Sequence, residues 1–442
     1  MSDPGFVVRS LADLPPVEAR RRLDRSAPAI FSDAMRTYAH QVLEDVARDG
    51  DDAVAAYTAR WDRVVVRPEE LAVPAAAMAH AHRQVDADLR RALEASILRA
   101  RRYNEWLRPP AMMLEEIEPG VTVGIRYTPC RSAGLYVPSR KGTFPSTLIT
   151  LAVPAAVAGV EELVGVVPPR SDGSVDPAVL VAADLVGLRR VFRCNGPAGV
   201  AALAVGTAHI PKTDVVVGPG NPVVAAVQAA AASYGVRSLV TLGPTESIVL
   251  ADDSADPDRL ALDLLNEAEH GGDSAVILLV TDRSVAERTA RRLDARLAEL
   301  PEPRRTYARQ ALTDLGGLFL VQDLDEGLAW INRYAPEHLQ LAVRDPLGVA
   351  ARVHHAGEIL VGQHTPFSLA NYAIGVPAAL PTGGAGFAAS GVTVLSFLKT
   401  ISVASLSAEG LRALGPVAVR LGQHEDFPAH VLAVTGREGL PG

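Results

Sequence analysis

From about residue 120 the chain alternates short β-branched runs with alanine-rich stretches of helical period, and this alternation most narrows what it can fold into. The runs fall at 134–137, 163–167, 191–194, 214–217, 239–242, 247–251, 275–280, 318–321, 338–342 and 358–361. They are apolar on both faces and separated by helices, the pattern of parallel sheets covered on both sides. The fold class is therefore α/β. The set is too long for one ordinary sheet, and a break near Gly243-Pro244 divides it into modules of similar size. We expect two Rossmann-like domains with parallel-rich sheets, at 116–244 and 245–381. Residues 1–115 read as a helical N-terminal part, with apolar spacing of three and four over 34–47 and 85–104, packed on the first α/β domain. Residues 382–442 read as a C-terminal tail, with a second subunit as one place for it to pack.

The 442 residues carry a formal charge of −8, and 48% are hydrophobic against 21% charged. That balance excludes a disordered chain, and the acidic charge argues against nucleic acid as a partner. The arginines at 90, 91, 99, 101, 102 and 108 are interleaved with Glu94 and Glu105, which reads as a solvated helix face. Lysine occurs only at 141, 212 and 399, a skew expected of a GC-rich genome that makes each lysine worth checking. The longest apolar stretch, 148–160, is too short for a bilayer and contains Pro154, so no membrane role is expected. Cys130 and Cys194 are isolated, and the start MSDPGFVVRS lacks a signal-peptide pattern. A cytoplasmic protein with reduced thiols is expected.

No zincin, P-loop or nucleophile-elbow motif is present. Gly384-x-Gly386-x-x-Ala389 matches a dinucleotide fingerprint formally but follows no convincing strand. Four polar clusters remain. Glu267 and His270 are three apart and share a helix face, a spacing suited to two metal ligands. Glu337-His338 stands at a strand start, where it can supply a base and its polar partner. Ser368-Leu-Ala-Asn371-Tyr372 follows the last core strand, and His424-Glu425-Asp426-Phe-Pro-Ala-His430 lies near the end. Gly218-Pro219-Gly220-Asn221 adds a tight turn after a strand, where α/β proteins bind ligands. Taken singly, each cluster also has an ordinary structural reading.

Together these segments resemble the histidinol dehydrogenase family from about residue 25 to the end, in order and with near-constant spacing. The matching text includes GLYVP at 134–138, PSTLITLAVPA at 145–155, VVVGPGN at 215–221, GPTE at 243–246, AEHGGDSAVILLV at 268–280, YAPEHLQL at 334–341, SGVTVLSFLK at 390–399 and AHVLAVT at 429–435. The resemblance implies oxidation of an amino alcohol to the acid in two steps. Zinc (or another divalent metal) and NAD would take part, and an enzyme-held aldehyde would link the steps. It also implies a homodimer whose C-terminal tail reaches the partner's active site. By position, His338 would take the alcohol proton as hydride leaves, and Glu337 would activate water on the aldehyde. Tyr136 and Asn221 match NAD contacts. Thr245 and Glu425 match substrate-binding positions. Glu267, His270, Asn371 and His430 match the metal ligands, with His430 donated across the dimer.

The departures are as informative. The family metal site is usually one Gln, one Asp and two His; here the Gln position is Glu267 and the Asp position is Asn371. Carboxylate and amide have changed places, and the formal charge of the set is unchanged. Glycines after YVP are replaced by Ser139-Arg140, with Lys141 next, which would narrow that space or meet an anion such as the 2′-phosphate of NADP. A Gln that contacts NAD is missing at Ala198, the usual Lys after G-P-G-N is Gln228, and the G-x-N-H-x-L-P-T stretch loses its His at 375–382. Three readings of function follow: a dehydrogenase acting on a different alcohol or amino alcohol, L-histidinol dehydrogenase itself, or a non-redox enzyme on the same scaffold.

Overall fold

The computed structural model describes residues 5–23, 32–139, 142–239 and 243–437. The chain forms two compact units, Met1–Leu107 with Cys130–Phe397, and Arg108–Pro129 with Leu398–Gly442. Among the described residues no helix is long and apolar enough to cross a membrane. Both cysteines are buried and neither forms a disulfide among the described residues.

In chain order the strands are β1 Val8–Ser10, β2 Met112–Glu118, β3 Val121–Pro129, β4 Ser132–Tyr136, β5 Glu162–Val167, β6 Arg190–Arg193 and β7 Val215–Val217. They continue with β8 Arg237–Leu239, β9 Glu246–Ala251, β10 Ala275–Val280, β11 Gly317–Leu320, β12 His338–Ala342, β13 Glu358–Val361 and β14 Leu398–Leu406. Nine of the ten expected runs correspond to the strands β4–β7 and β9–β13, with ends shifted by at most a few residues; the run at 239–242 meets β8 only at Leu239, and 240–242 lie outside the described residues.

The first unit holds two wholly parallel sheets, in the orders β6-β5-β4-β7-β8 and β1-β11-β10-β9-β12-β13. In each, the strand order runs outward and then restarts on the other side of the first strand, the doubly wound pattern. Helices cover both faces because both faces are apolar. In the six-stranded sheet Val249, Leu278 and Leu318 enter one core, while Ile248, Leu250, Ile277 and Leu279 enter the other. Several helices open on proline at a first position, preceded by a capping side chain. Asn221 caps Pro222–Ala230 and Asp256 caps Pro257–Ala268 in this way.

The N-terminal part is helical over Asp33–Asp49, Asp51–Trp61 and Ala87–Leu107, but it also supplies β1, which pairs with β11 at the edge of the six-stranded sheet. The second unit is a three-stranded antiparallel sheet, β14-β3-β2, followed by the helices Ala408–His424 and Pro428–Thr435. Its strands were absent from the sequence expectation. Met112–Glu118 is exposed throughout and has no buried face to reveal it.

Candidate functional site

The second parallel sheet brings together the residues with the most chemistry. Ser247, His338 and Glu358 are direct register partners on the adjacent parallel strands β9, β12 and β13, so their side chains share one face. The helix Pro257–Ala268 covers this face and buries Asp263 and Glu267. Four residues of helix advance about 6 Å, and two residues of strand about 6.6 Å. The two spacings match. Gln340 Nε2 donates to Asp263 Oδ2 at 2.8 Å, and His338 Nε2 lies 3.8 Å from Glu267 Oε2.

Around His338 the arrangement is dense and dry. Its side chain is 5% exposed, and Nε2 is also 3.7 Å from Glu337 Oε1. Nδ1 is hydrogen-bonded to the Glu358 carboxylate. Phe367 packs edge-on to the imidazole, with ring centroids 5.8 Å apart. Glu337 Oε2 accepts from the Glu246 N–H at 3.1 Å, and Glu246 Oε2 in turn accepts from the Gly383 N–H at 3.1 Å. Thr245 immediately precedes Glu246, and its carbonyl accepts from the Ala275 N–H. Burial pushes the Glu337 carboxyl up to about 8, opposed in part by the His338 charge. Burial alone would push the His338 imidazole down. Glu267 and Glu337, with the bond to Glu358, outweigh it and lift the group to about 10.

The seam also makes a stability prediction. Burial raises Asp263 from 3.8 to about 6. A carboxyl raised in the folded state disfavours folding once it ionises, so its penalty grows as pH rises from 3.8 through 6 and is constant above. Asp263→Asn keeps an oxygen for Gln340 and removes the charge. It is expected to stabilise the protein by about 3 kcal/mol at pH 8, nearly vanishing at pH 4. Urea unfolding at the two pH values measures this, and an equal gain at both would contradict it.

The structure brings Glu267 and His338 together, and places His270 one turn beyond Glu267, half-buried, with its N–H toward the Glu267 carbonyl. The short helix Phe367–Leu369 packs on Pro257–Ala268, and Asn371 lies in the turn Ala370–Ile374 that follows. Glu425 and His430 belong to the second unit, where both are exposed, Glu425 closing the helix Ala408–His424. Among the described residues no three His, Cys, Asp or Glu side chains converge as a metal cage. Glu267 nonetheless has the property a cation would satisfy. Its Oε1 accepts from Asn266 Nδ2 at 2.7 Å, while Oε2 is buried without a hydrogen-bond partner among the described residues. Carboxylate, imidazole and amide oxygen together suit a divalent ion such as zinc.

The other expected residues lie on the first parallel sheet. Tyr136 ends β4, and the Gly218–Asn221 turn follows β7, so the two flank the point where the strand order switches. That is where open α/β sheets take ligands. Gly218 has φ 153°, and a Cβ there would lie 2.1 Å from the Tyr136 carbonyl oxygen, so only glycine permits the approach. Asn221 Oδ1 caps the following helix through the Val223 and Val224 N–H groups, each at 3.0 Å. Gln228, at the family's lysine position, is buried and donates to the Gly218 carbonyl at 2.8 Å, holding the turn. Ala198 is fully buried inside the helix Gly196–Val205. Gly384 precedes a single 3-10 turn, Ala385–Phe387, and follows no strand, so the formal fingerprint there is a loop. Arg140 and Lys141 lie outside the described residues.

Sequence reasoning did not single out Glu358, Glu246 or Asp263. Glu358 had a signal: a charged residue opening a doubly buried strand, as Glu337-His338 does one strand earlier.

Comparison with known proteins shows the family and the fold. A family profile described as histidinol dehydrogenase matches residues 26–438. A histidinol dehydrogenase of Synechocystis sp. is 41% identical over 437 residues, covering 98% of this chain and 99% of its own. A histidinol dehydrogenase homolog of Colwellia psychrerythraea is 37% identical, covering 97% and 96%. The crystal structure of histidinol dehydrogenase from Elizabethkingia anophelis superimposes with a TM-score of 0.90 at 29% identity, covering 98% of this chain and 97% of that one.

Proposed function

Because the chain belongs to the histidinol dehydrogenase family, we propose that it is an NAD-dependent, metal-assisted dehydrogenase that oxidises an alcohol or amino alcohol through an aldehyde to the acid, with a specificity of its own. The observation that carries this is the buried set at the start of β12, with the His338 imidazole edge turned to two carboxylates, Glu337 and Glu267.

In the first step His338 Nε2 would receive the hydroxyl proton, and NAD, when bound, would supply the acceptor for the hydride that leaves the carbinol carbon. The products are the aldehyde and NADH. In the second, Glu337 takes a proton from water as the water oxygen adds to the aldehyde carbon. The hydrate so formed is at the level from which loss of hydride, to a second NAD when bound, would leave the acid. A carboxyl held near 8 by burial suits this proton traffic close to neutral pH. Glu267, His270, Asn371 and a partner-donated His430 would hold the metal. A cation there would polarise the substrate oxygen and offset the Glu267 charge, the largest of those raising His338. Tyr136 and Asn221, at the switch point of the first sheet, support NAD binding. Thr245, beside the Glu246 amide that orients Glu337, supports substrate contact, as does Glu425 from the partner.

The second unit supports a homodimer. Met112, Met113, Leu114, Ile117, Ile125 and Ile401 are exposed on its sheet, an apolar surface that a second copy would cover. The departures at Glu267, Asn371 and Ala198 favour a shifted substrate. The names of the 41% identical relatives favour L-histidinol itself. The experiment is NADH formation by the purified protein with L-histidinol and a panel of amino alcohols and diols. Two NADH per alcohol consumed is the expected yield, and no NAD reduction with any of them would overturn the reading.

A further inference from the structure

We infer that Glu358 is the positioning residue for His338, holding the imidazole through Nδ1 so that Nε2 is the nitrogen turned to Glu337, Glu267 and the substrate. The inference rests on the proposed role of His338 as the proton acceptor.

Backbone register comes first. His338 and Glu358 are paired residues on adjacent parallel strands, so their side chains leave the sheet side by side on the face covered by Pro257–Ala268. The register is fixed at this end of the strands. The Glu358 N–H donates to the Glu337 carbonyl at 3.0 Å, and the Gly357 N–H to the Pro336 carbonyl at 2.9 Å. Gly357 allows this closeness, since a Cβ there would lie 2.5 Å from the Glu337 carbonyl oxygen.

Burial and chemistry come next. The two side chains are 5% and 7% exposed. A carboxylate so far from water needs a charged or donating partner. Glu358 Oε1 has that partner in His338 Nδ1, and Oε2 is buried with none among the described residues. The Glu358 carboxylate is therefore committed to the imidazole. A carboxylate on Nδ1 fixes ring orientation and assigns the Nδ1 proton, leaving Nε2 for proton transfer. Phe367, edge-on at 5.8 Å, limits ring rotation. Glu358 touches no reacting atom and acts through His338.

The test uses the full-length protein with ¹⁵N-labelled histidine, the His338 signals being assigned by their absence in His338→Asn. Unmodified protein is expected to show a far-downfield proton on His338 Nδ1, lost in Glu358→Gln and Glu358→Ala. With L-histidinol and NAD, or whichever alcohol is turned over, kcat is expected to fall about 10- to 100-fold in both variants with KM nearly unchanged, and Glu358→Asp to recover part of it. Melting temperatures taken alongside separate this from loss of fold. A downfield proton that persists in Glu358→Gln overturns the inference. So does an unchanged kcat, or a fall that only tracks the folded fraction. If the unmodified protein oxidises no alcohol, the functional reading fails, and the resonance alone decides whether Glu358 sets the ring.

Discussion

Replacing His338 with asparagine is expected to abolish the first NADH, lowering kcat by about 10³, whereas Glu337→Gln is expected to release one NADH for each alcohol and then stall at the aldehyde. The contrast follows from the chemistry. Oxidation of the alcohol needs a base for one hydroxyl proton and no water. Oxidation of the aldehyde needs water to be activated first. The two side chains are adjacent in sequence and lie 3.7 Å apart at Nε2 and Oε1, yet they are held by different neighbours. His338 is tied through Nδ1 to Glu358 on β13, and Glu337 through Oε2 to the Glu246 N–H on β9. Each can then be changed without dragging the other. Asparagine still offers an amide to the Glu358 carboxylate, and glutamine an oxygen to the Glu246 N–H, so both variants should fold. Stopped-flow NADH formation in a single turnover, with the aldehyde trapped by a hydrazine, separates the steps. A His338→Asn enzyme that makes its first NADH at the native rate would assign the proton to another group.

The sequence revealed most where physical constraints were redundant. Inner strands such as β7 and β10 are buried on both faces and apolar at every position, so they stand out against helices of 3.6-residue period. Exposed β2 follows no such rule, and β1 is three residues whose place depends on pairing with β11. Glu337 and His338 were visible because a strand start next to Pro336 concentrates charge in an otherwise apolar text. Glu358 was harder. Its partner lies 20 residues away, and only the parallel register of β12 with β13 makes the two neighbours. Glu267 was read with His270 as a metal-ligand pair on one helix face and Asp263 was not singled out, because only the packing of their helix on β12 sets the two carboxylates against His338 and Gln340. Single residues could suggest the catalytic pair, but the groups that orient it depend on strand order.

The exchange of carboxylate and amide between 267 and 371 yields the sharpest expectation for the metal. Glu267→Gln alone is expected to weaken divalent-metal affinity at least about 100-fold, because it removes the only carboxylate of the set. Asn371→Asp alone should leave affinity equal or higher, since it adds a second. Glu267→Gln combined with Asn371→Asp restores one carboxylate and one amide, and is expected to return affinity to within about tenfold of the unmodified protein. Non-additivity of this kind is the signature of two residues acting on one ion. The physical ground is the buried Glu267 Oε2, which has no hydrogen-bond partner among the described residues. An anionic oxygen in that position is costly unless something positive meets it, and His338 Nε2, 3.8 Å away, is too far to hydrogen-bond it. Metal content by elemental analysis after dialysis, with affinity by chelator competition, reads the cycle without reference to turnover. Glu267→Gln protein that binds metal as tightly as the native chain would mean that Glu267 answers only to His338. Strictly additive effects in the double variant would mean that 267 and 371 do not share an ion.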